Sequence, residues 1–125
     1  MFQTIHYVMV TVSDMRKSIA FYKDQLGIPL KFESPEWTEF ATGNTVLALH
    51  GGGEVKATAP SESKCAGTCS IGFNVADLQA TYEELKSKGV RFMMPPTERE
   101  GENIKLAVAF DPDGLPISFA EMKTK

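Results

Sequence analysis

The sequence has 125 residues, 42% of them hydrophobic and 23% charged, with a net charge of -3 at neutral pH. That length fits one domain with a continuous core, because two independent domains of half the size would each be marginal. No concentrated basic surface is supplied, which excludes the usual nucleic-acid binder. The opening MFQTIHYVMVTVSD has an apolar run without a basic n-region, so neither a signal peptide nor a membrane span is expected. Cys65 and Cys69 are the only cysteines; two close cysteines alone make no metal site, and with no export signal they read as free thiols in a cytoplasmic protein.

Thr4–Thr11 is rich in β-branched and apolar residues and predicts a buried strand. Asp14 is placed to cap a helix whose stripe is Met15, Ile19, Tyr22 and Leu26, and Gly27 is placed to end it. Three short strands are expected next, at Leu30–Glu33, Thr38–Ala41 and Thr45–His50, with turns at Ser34-Pro35 and Gly43-Asn44. The Gly-, Ser-, Ala- and Lys-rich stretch that follows His50 reads as a surface linker, centred on residues 53–67.

The pattern then restarts. Thr68–Val75 predicts a strand, Asp77 a cap, Leu78, Tyr82 and Leu85 a helical stripe, and Gly89 a stop. A strand at Val90–Met93, a loop through Pro95-Pro96 to Asn103, and strands at Lys105–Phe110 and Leu115–Met122 complete the chain, the last two joined by Asp111-Pro112-Asp113-Gly114. Val12-Ser13-Asp14-Met15 and Val75-Ala76-Asp77-Leu78 hold matching places at the two strand–helix junctions. Such repetition constrains both halves together. The expected fold is α+β: one domain of two paired βαβββ modules, about 1–52 and 68–122, forming an antiparallel curved sheet with helices on its outer face.

The segments VTVSDMRKSIAFYKDQLGI, FNVADLQATYEELKSKGV and FDPDGLPISFAE resemble the vicinal-oxygen-chelate superfamily, which includes glyoxalase I, bleomycin-resistance proteins, fosfomycin-resistance enzymes and extradiol dioxygenases. The resemblance implies paired βαβββ modules, commonly in a homodimer, with a ligand in each concave sheet. Many of its enzymes hold a divalent metal through four side chains on the first and last strand of each module. The matching positions here are Tyr7, Ala48, Ser70 and Ser118. None is a His, Asp or Glu, so no metal and no other cofactor is expected.

Side chains alternate faces along a strand. With Tyr7 facing the cavity, Met9 and Thr11 follow, as do Ala48 and His50, Ser70 and Gly72, Ala107 and Ala109, and Ser118 and Ala120. The face is dominated by small residues, a surface suited to a ligand pocket; alternatively Trp37, Tyr7, Met9 and loop side chains, or a partner subunit, fill it. Trp37, beside Glu39, is placed to stack on a flat or cationic group. His50 is a weak catalytic candidate, as a donor to a ligand oxygen or a proton carrier. His6, His50 and Glu121 would make a two-histidine, one-carboxylate iron site only with two β-bulges, since His6 and Glu121 fall off the register. Arg91, Arg99, Glu102 and Lys105 read as solvated or interface residues.

The expected ligand-binding set is therefore Tyr7, Met9, Trp37, Ala48, His50, Ser70, Gly72, Ala107 and Ser118. The expected function is metal-free binding of a small organic molecule, similar to the sequestering role of bleomycin-resistance proteins. The alternatives are a glyoxalase-like isomerase or lyase, or a dioxygenase, with a non-standard site, and an interaction module that binds protein. A homodimer is expected, with no nucleic-acid or membrane partner.

Overall fold

A computed structural model of the chain describes residues 1–54, 69–99, 101 and 103–122. The chain divides into two compact units, Met1–Val55 and Lys56–Lys125. In the first, strand β1 (Tyr7–Thr11) leads into helix α1 (Met15–Ile19), followed by β2 (Leu30–Phe32), β3 (Trp37–Thr42) and β4 (Thr45–His50). In the second, β5 (Ile71–Asn74) leads into α2 (Leu78–Ser87), followed by β6 (Phe92–Arg99), β7 (Ile104–Phe110) and β8 (Pro116–Met122). Each unit is thus βαβββ in element order.

The expected antiparallel curved sheet is not what forms. The strands make two separate four-stranded sheets, ordered β1-β4-β3-β2 and β5-β8-β7-β6, and both are open. Each is mixed: β1 lies parallel to β4 and β5 parallel to β8, while the remaining pairs are antiparallel. The physical reason is connectivity. A strand followed by a helix re-enters its sheet by a crossover, and two hairpin turns then reverse direction twice, so the fourth strand runs alongside the first in the same sense.

The local signals at the first helix act as the residues dictate. Asp14 accepts from the Lys17 amide at 3.1 Å, and Asp77 accepts from the Ala80 amide at 3.0 Å. Gly27 and Gly89 take the left-handed φ, at 78° and 87°, which glycine adopts without a Cβ clash. The predicted stripe does not survive intact, however. After Ile19 the helix widens into a π-helical segment, Ala20–Gln25, in which the Leu26 amide donates to the Phe21 carbonyl five residues back. The extra residue in the turn rotates Phe21 beside Tyr22 into the core, and Ser18 is buried with them. Tyr22 meets Phe40 of β3 at 6.0 Å between ring centroids, which identifies the face of the first sheet that the helix covers.

In the second unit Leu78, Leu85, Ile117 and Phe119 are buried. Phe119 stacks on Phe73, and Phe92 contacts both Phe119 and Tyr82 of α2. Glu121 reaches from β8 to accept from the Leu78 amide at 2.7 Å, so the start of α2 has a carboxylate from the sheet as well as its own Asp77 cap.

Three strands differ from expectation by more than one residue at an end. The first strand begins at Tyr7 rather than Thr4, although the His6 carbonyl still accepts from Val46. The strand expected at Thr68–Val75 is Ile71–Asn74, and Thr68 with most of the expected linker lies outside the described residues. The expected loop through Pro95-Pro96 is instead part of β6, an edge strand whose register shifts between Met94 and Thr97. Prolines are tolerated there because an edge strand leaves one row of amides unpaired.

Ser18 Oγ is buried and has no hydrogen-bond partner, whereas Asp14 caps an exposed helix start. Ser18→Ala is therefore expected to leave stability unchanged or raise it by up to about 1 kcal/mol, while Asp14→Ala lowers it by about 1 kcal/mol. Urea denaturation of both variants beside the parent chain checks this contrast; a loss for Ser18→Ala equal to that for Asp14→Ala contradicts it.

Candidate functional site

The face of the first sheet away from the helix is built by register. Tyr7 pairs with Val46, Met9 with Ala48 and Thr11 with His50 across β1 and β4. Trp37 pairs with His50 and Glu39 with Ala48 across β3 and β4, and Phe32 of β2 pairs with Glu39. Five of the expected residues, Tyr7, Met9, Trp37, Ala48 and His50, therefore share this face. Thr38, Phe40, Leu47 and Leu49 alternate with them and are buried on the helix side.

The aromatic side chains on this face contact one another edge to face. The Trp37 ring lies 5.7 Å from Tyr7 and 6.2 Å from His50, and the Trp37 Nε1–H donates to Glu39 Oε2 at 2.8 Å. Glu39 Oε1 is 4.0 Å from Lys31 Nζ. Tyr7 and Trp37 stand on opposite flanks of β4, two strands apart and offset by the four residues between Val46 and His50. The two rings meet across β4, and Ala48, between Val46 and His50 on that strand, has Met9 and Glu39 as its register partners.

This explains why Ala48 is 0% exposed while Tyr7, Met9 and Phe32 remain 49%, 46% and 53% exposed. Ala48 is therefore covered by its neighbours and is not an open floor. Tyr7, Met9 and Phe32 form the accessible surface. The strand end is held by its glycines: the Gly51 amide donates to the Glu36 carbonyl and the Gly53 amide to the Val12 carbonyl. A Cβ on Gly51 would lie 2.8 Å from the Pro35 carbonyl oxygen, too close for any other residue without a backbone shift. His50 Nδ1 is 2.7 Å from the Gly51 carbonyl oxygen.

The remaining expected residues lie in the second unit. Gly72 and Ser118 are register partners, and Ser70 is exposed just ahead of β5. Ala107 is not on the Ser118 face. It pairs with Phe119, and with Ala109 it lies on the helix side, both fully buried, while Val108 pairs with Ser118. The Asp111–Gly114 turn sets this register by pairing Phe110 with Pro116. The packing reason is volume: Phe73, Phe92 and Phe119 crowd that side, and alanines on β7 leave them room. Alternation from the expected register puts Ala107 and Ala109 on the cavity face; the observed register puts them on the opposite one. Phe32 was missed altogether, because the irregular β2–β3 register that turns it onto the Glu39 face has no signal in the sequence.

The donor sets for a metal do not fit. Tyr7 is engaged in the aromatic packing, Ala48 has no donor atom, and Ser70 and Ser118 are hydroxyls, poor substitutes for the nitrogen, sulfur and carboxylate donors of transition-metal sites. The His6, His50 and Glu121 set fails as well, since Glu121 binds the Leu78 amide and His50 Nδ1 the Gly51 carbonyl. Among the described residues no group of three or more His, Cys, Asp or Glu is arranged to hold a metal ion.

Because Ala48 is fully buried, Ala48→Phe is expected to overpack this face and destabilise the fold by about 1–3 kcal/mol. Thermal unfolding followed at the single indole checks it. An unchanged melting temperature would mean that open space lies above Ala48.

Comparisons with known proteins agree with this architecture. The solved structure of SMU.1112c superposes with a TM-score of 0.82 at 26% identity, covering 97% of this chain and 100% of that one. The protein YraH of Bacillus subtilis (strain 168) is 30% identical over 124 residues, 92% of this chain and 95% of its own length. The metallothiol transferase FosB of Staphylococcus saprophyticus is 32% identical over 116 residues, 91% of this chain and 74% of its own. Residues 4–119 match the family model described as the Glyoxalase/Bleomycin resistance protein/Dioxygenase superfamily, and the chain belongs to that family.

Proposed function

We propose that the chain binds a small, flat organic molecule reversibly and without a metal ion, on the sheet face that carries Tyr7, Trp37 and His50. The observation that carries this reading is the aromatic cluster itself. Soluble chains seldom leave several large apolar side chains together at the surface, and such a grouping beside a few polar atoms suits a ligand. Trp37 and Tyr7 supply stacking area at little entropic cost, since each has two side-chain torsions already fixed by contact. Met9 and Phe32 extend the apolar surface, and Glu39 and His50 give it polar edges. Gly72 and Ser118 are kept as secondary candidates for ligand contact, with Ser70 at the strand entrance; Ala107 is dropped.

A metal-dependent enzyme is the competing reading, and similarity to a metallothiol transferase favours it. The donor chemistry at Tyr7, Ala48, Ser70 and Ser118 weighs against it. The proposal also keeps the chain as one domain of two modules and as a cytoplasmic homodimer. Among the described residues no helix is long and apolar enough to cross a membrane. Strand β1 is an edge strand with Tyr7, Val8 and Met9 exposed, and an edge of that kind calls for cover.

Three measurements test this. Titration with a panel of planar heteroaromatic compounds is expected to change the fluorescence of Trp37, the only tryptophan. Affinity, measured by calorimetry so that the variant without its tryptophan can be compared, should fall at least about tenfold in Trp37→Ala, as expected for loss of an aromatic anchor, and should not change after treatment with a chelator. A binding signal abolished by the chelator and restored by a divalent cation would establish the metal-dependent alternative. Sedimentation at micromolar concentration is expected to give a dimer, and a purely monomeric species overturns that part.

A further inference from the structure

Both ring N–H donors on the aromatic face are already spent inside the protein. The Trp37 Nε1–H points at Glu39 Oε2, 2.8 Å away. His50 Nδ1 lies 2.7 Å from the Gly51 carbonyl oxygen. A carbonyl oxygen only accepts, so Nδ1 must carry the hydrogen, and in the neutral ring Nε2 is then a bare acceptor. This reverses the sequence-based expectation that His50 donates to a ligand oxygen. Glu39 adds a carboxylate, which in its ionised form also only accepts. The hydroxyls of Tyr7 and Thr11 serve either role and do not discriminate, and the Lys31 ammonium is drawn toward Glu39 at 4.0 Å.

Resting on the binding reading above, we propose that the Tyr7–Trp37–His50 face selects flat aromatic molecules that present an N–H or O–H donor, with His50 Nε2 as the atom that receives it. An aromatic molecule bearing only acceptors meets lone pairs at His50 and negative charge at Glu39. One that bears a donor completes a hydrogen bond there while its ring stacks on Trp37 and Tyr7. Specificity then comes from the tautomer, which the Gly51 carbonyl sets and the glycine-held strand end keeps in place.

The test uses the full chain and two probes that differ in a single donor, indole and 1-methylindole. Binding is followed through the indole N–H cross-peak of Trp37 in nitrogen-15 NMR, which is unique because the chain has one tryptophan. Indole is expected to bind about fivefold more tightly, the scale of one hydrogen bond to a neutral acceptor. His50→Phe, which keeps a ring at an exposed position, should erase that preference and bring the affinities of the two probes together. Long-range proton–nitrogen spectra at about pH 8.5 should show His50 protonated on Nδ1, with His50→Phe assigning it apart from His6. Equal affinity for the two probes, or a proton on Nε2, overturns this inference and leaves the aromatic-face reading standing. Absence of any shift with either probe overturns both.

Discussion

The parallel pairing of the first strand of each unit with its last is the constraint from which the rest follows. Parallel neighbours need a crossover, and the crossover is the helix that covers one face. Once the helix side is fixed by Tyr22 against Phe40 and by Tyr82 against Phe92, strand alternation leaves no choice on the other side. Tyr7 beside Val46 and Met9 beside Ala48 are consequences of that single register. A slip of one residue would carry Leu47 and Leu49 out of the core and bury His50. The site face and the core are one decision.

Much of this was legible because the signals are local or repeated. Asp14 and Asp77 cap as their positions imply, and the matched Val-x-Asp junctions give the βαβββ order twice. The faces of β1 and β4 follow from alternation in short strands with no irregularity between them. What was not legible depends on contacts between strands. The direction of β1 relative to β4 is a matter of connectivity, and reading every neighbour as antiparallel overlooked the crossover. The π-helical segment that brings Phe21 inward conflicts with the regular spacing of Met15, Ile19, Tyr22 and Leu26, and only packing against the sheet decides it. On β7 the alternation is legible, but its sense depends on the register with β8, which the sequence does not set. Small residues there are core residues, because their neighbours on β6 and β8 are phenylalanines.

The same ambiguity surrounds Ala48, and it bears on function. An alanine at the centre of a sheet face is consistent both with an open floor and with a seat under larger neighbours. The distinction rests on what the flanking strands place to either side. Here Tyr7 and Trp37 converge from opposite flanks, and Glu39 ties down the indole through its N–H. The alanine is fully buried, with Met9 and Glu39 as its register partners. Its side chain contributes no ligand contact of its own.

That arrangement also bears on the donor chemistry at these positions. A transition-metal site needs several donors free to converge on one point, each held by a further hydrogen bond. On this face the side chain at Tyr7 is turned over β4 into an aromatic contact, and Ala48 offers no donor atom. The polar groups nearby, Glu39 and His50, are each oriented by an internal bond, to the Trp37 indole and the Gly51 carbonyl. Those bonds orient them as acceptors beside a π surface instead of as ligands around a cation. On the proposed reading, this face therefore offers an aromatic surface with hydrogen-bond acceptors at its edges.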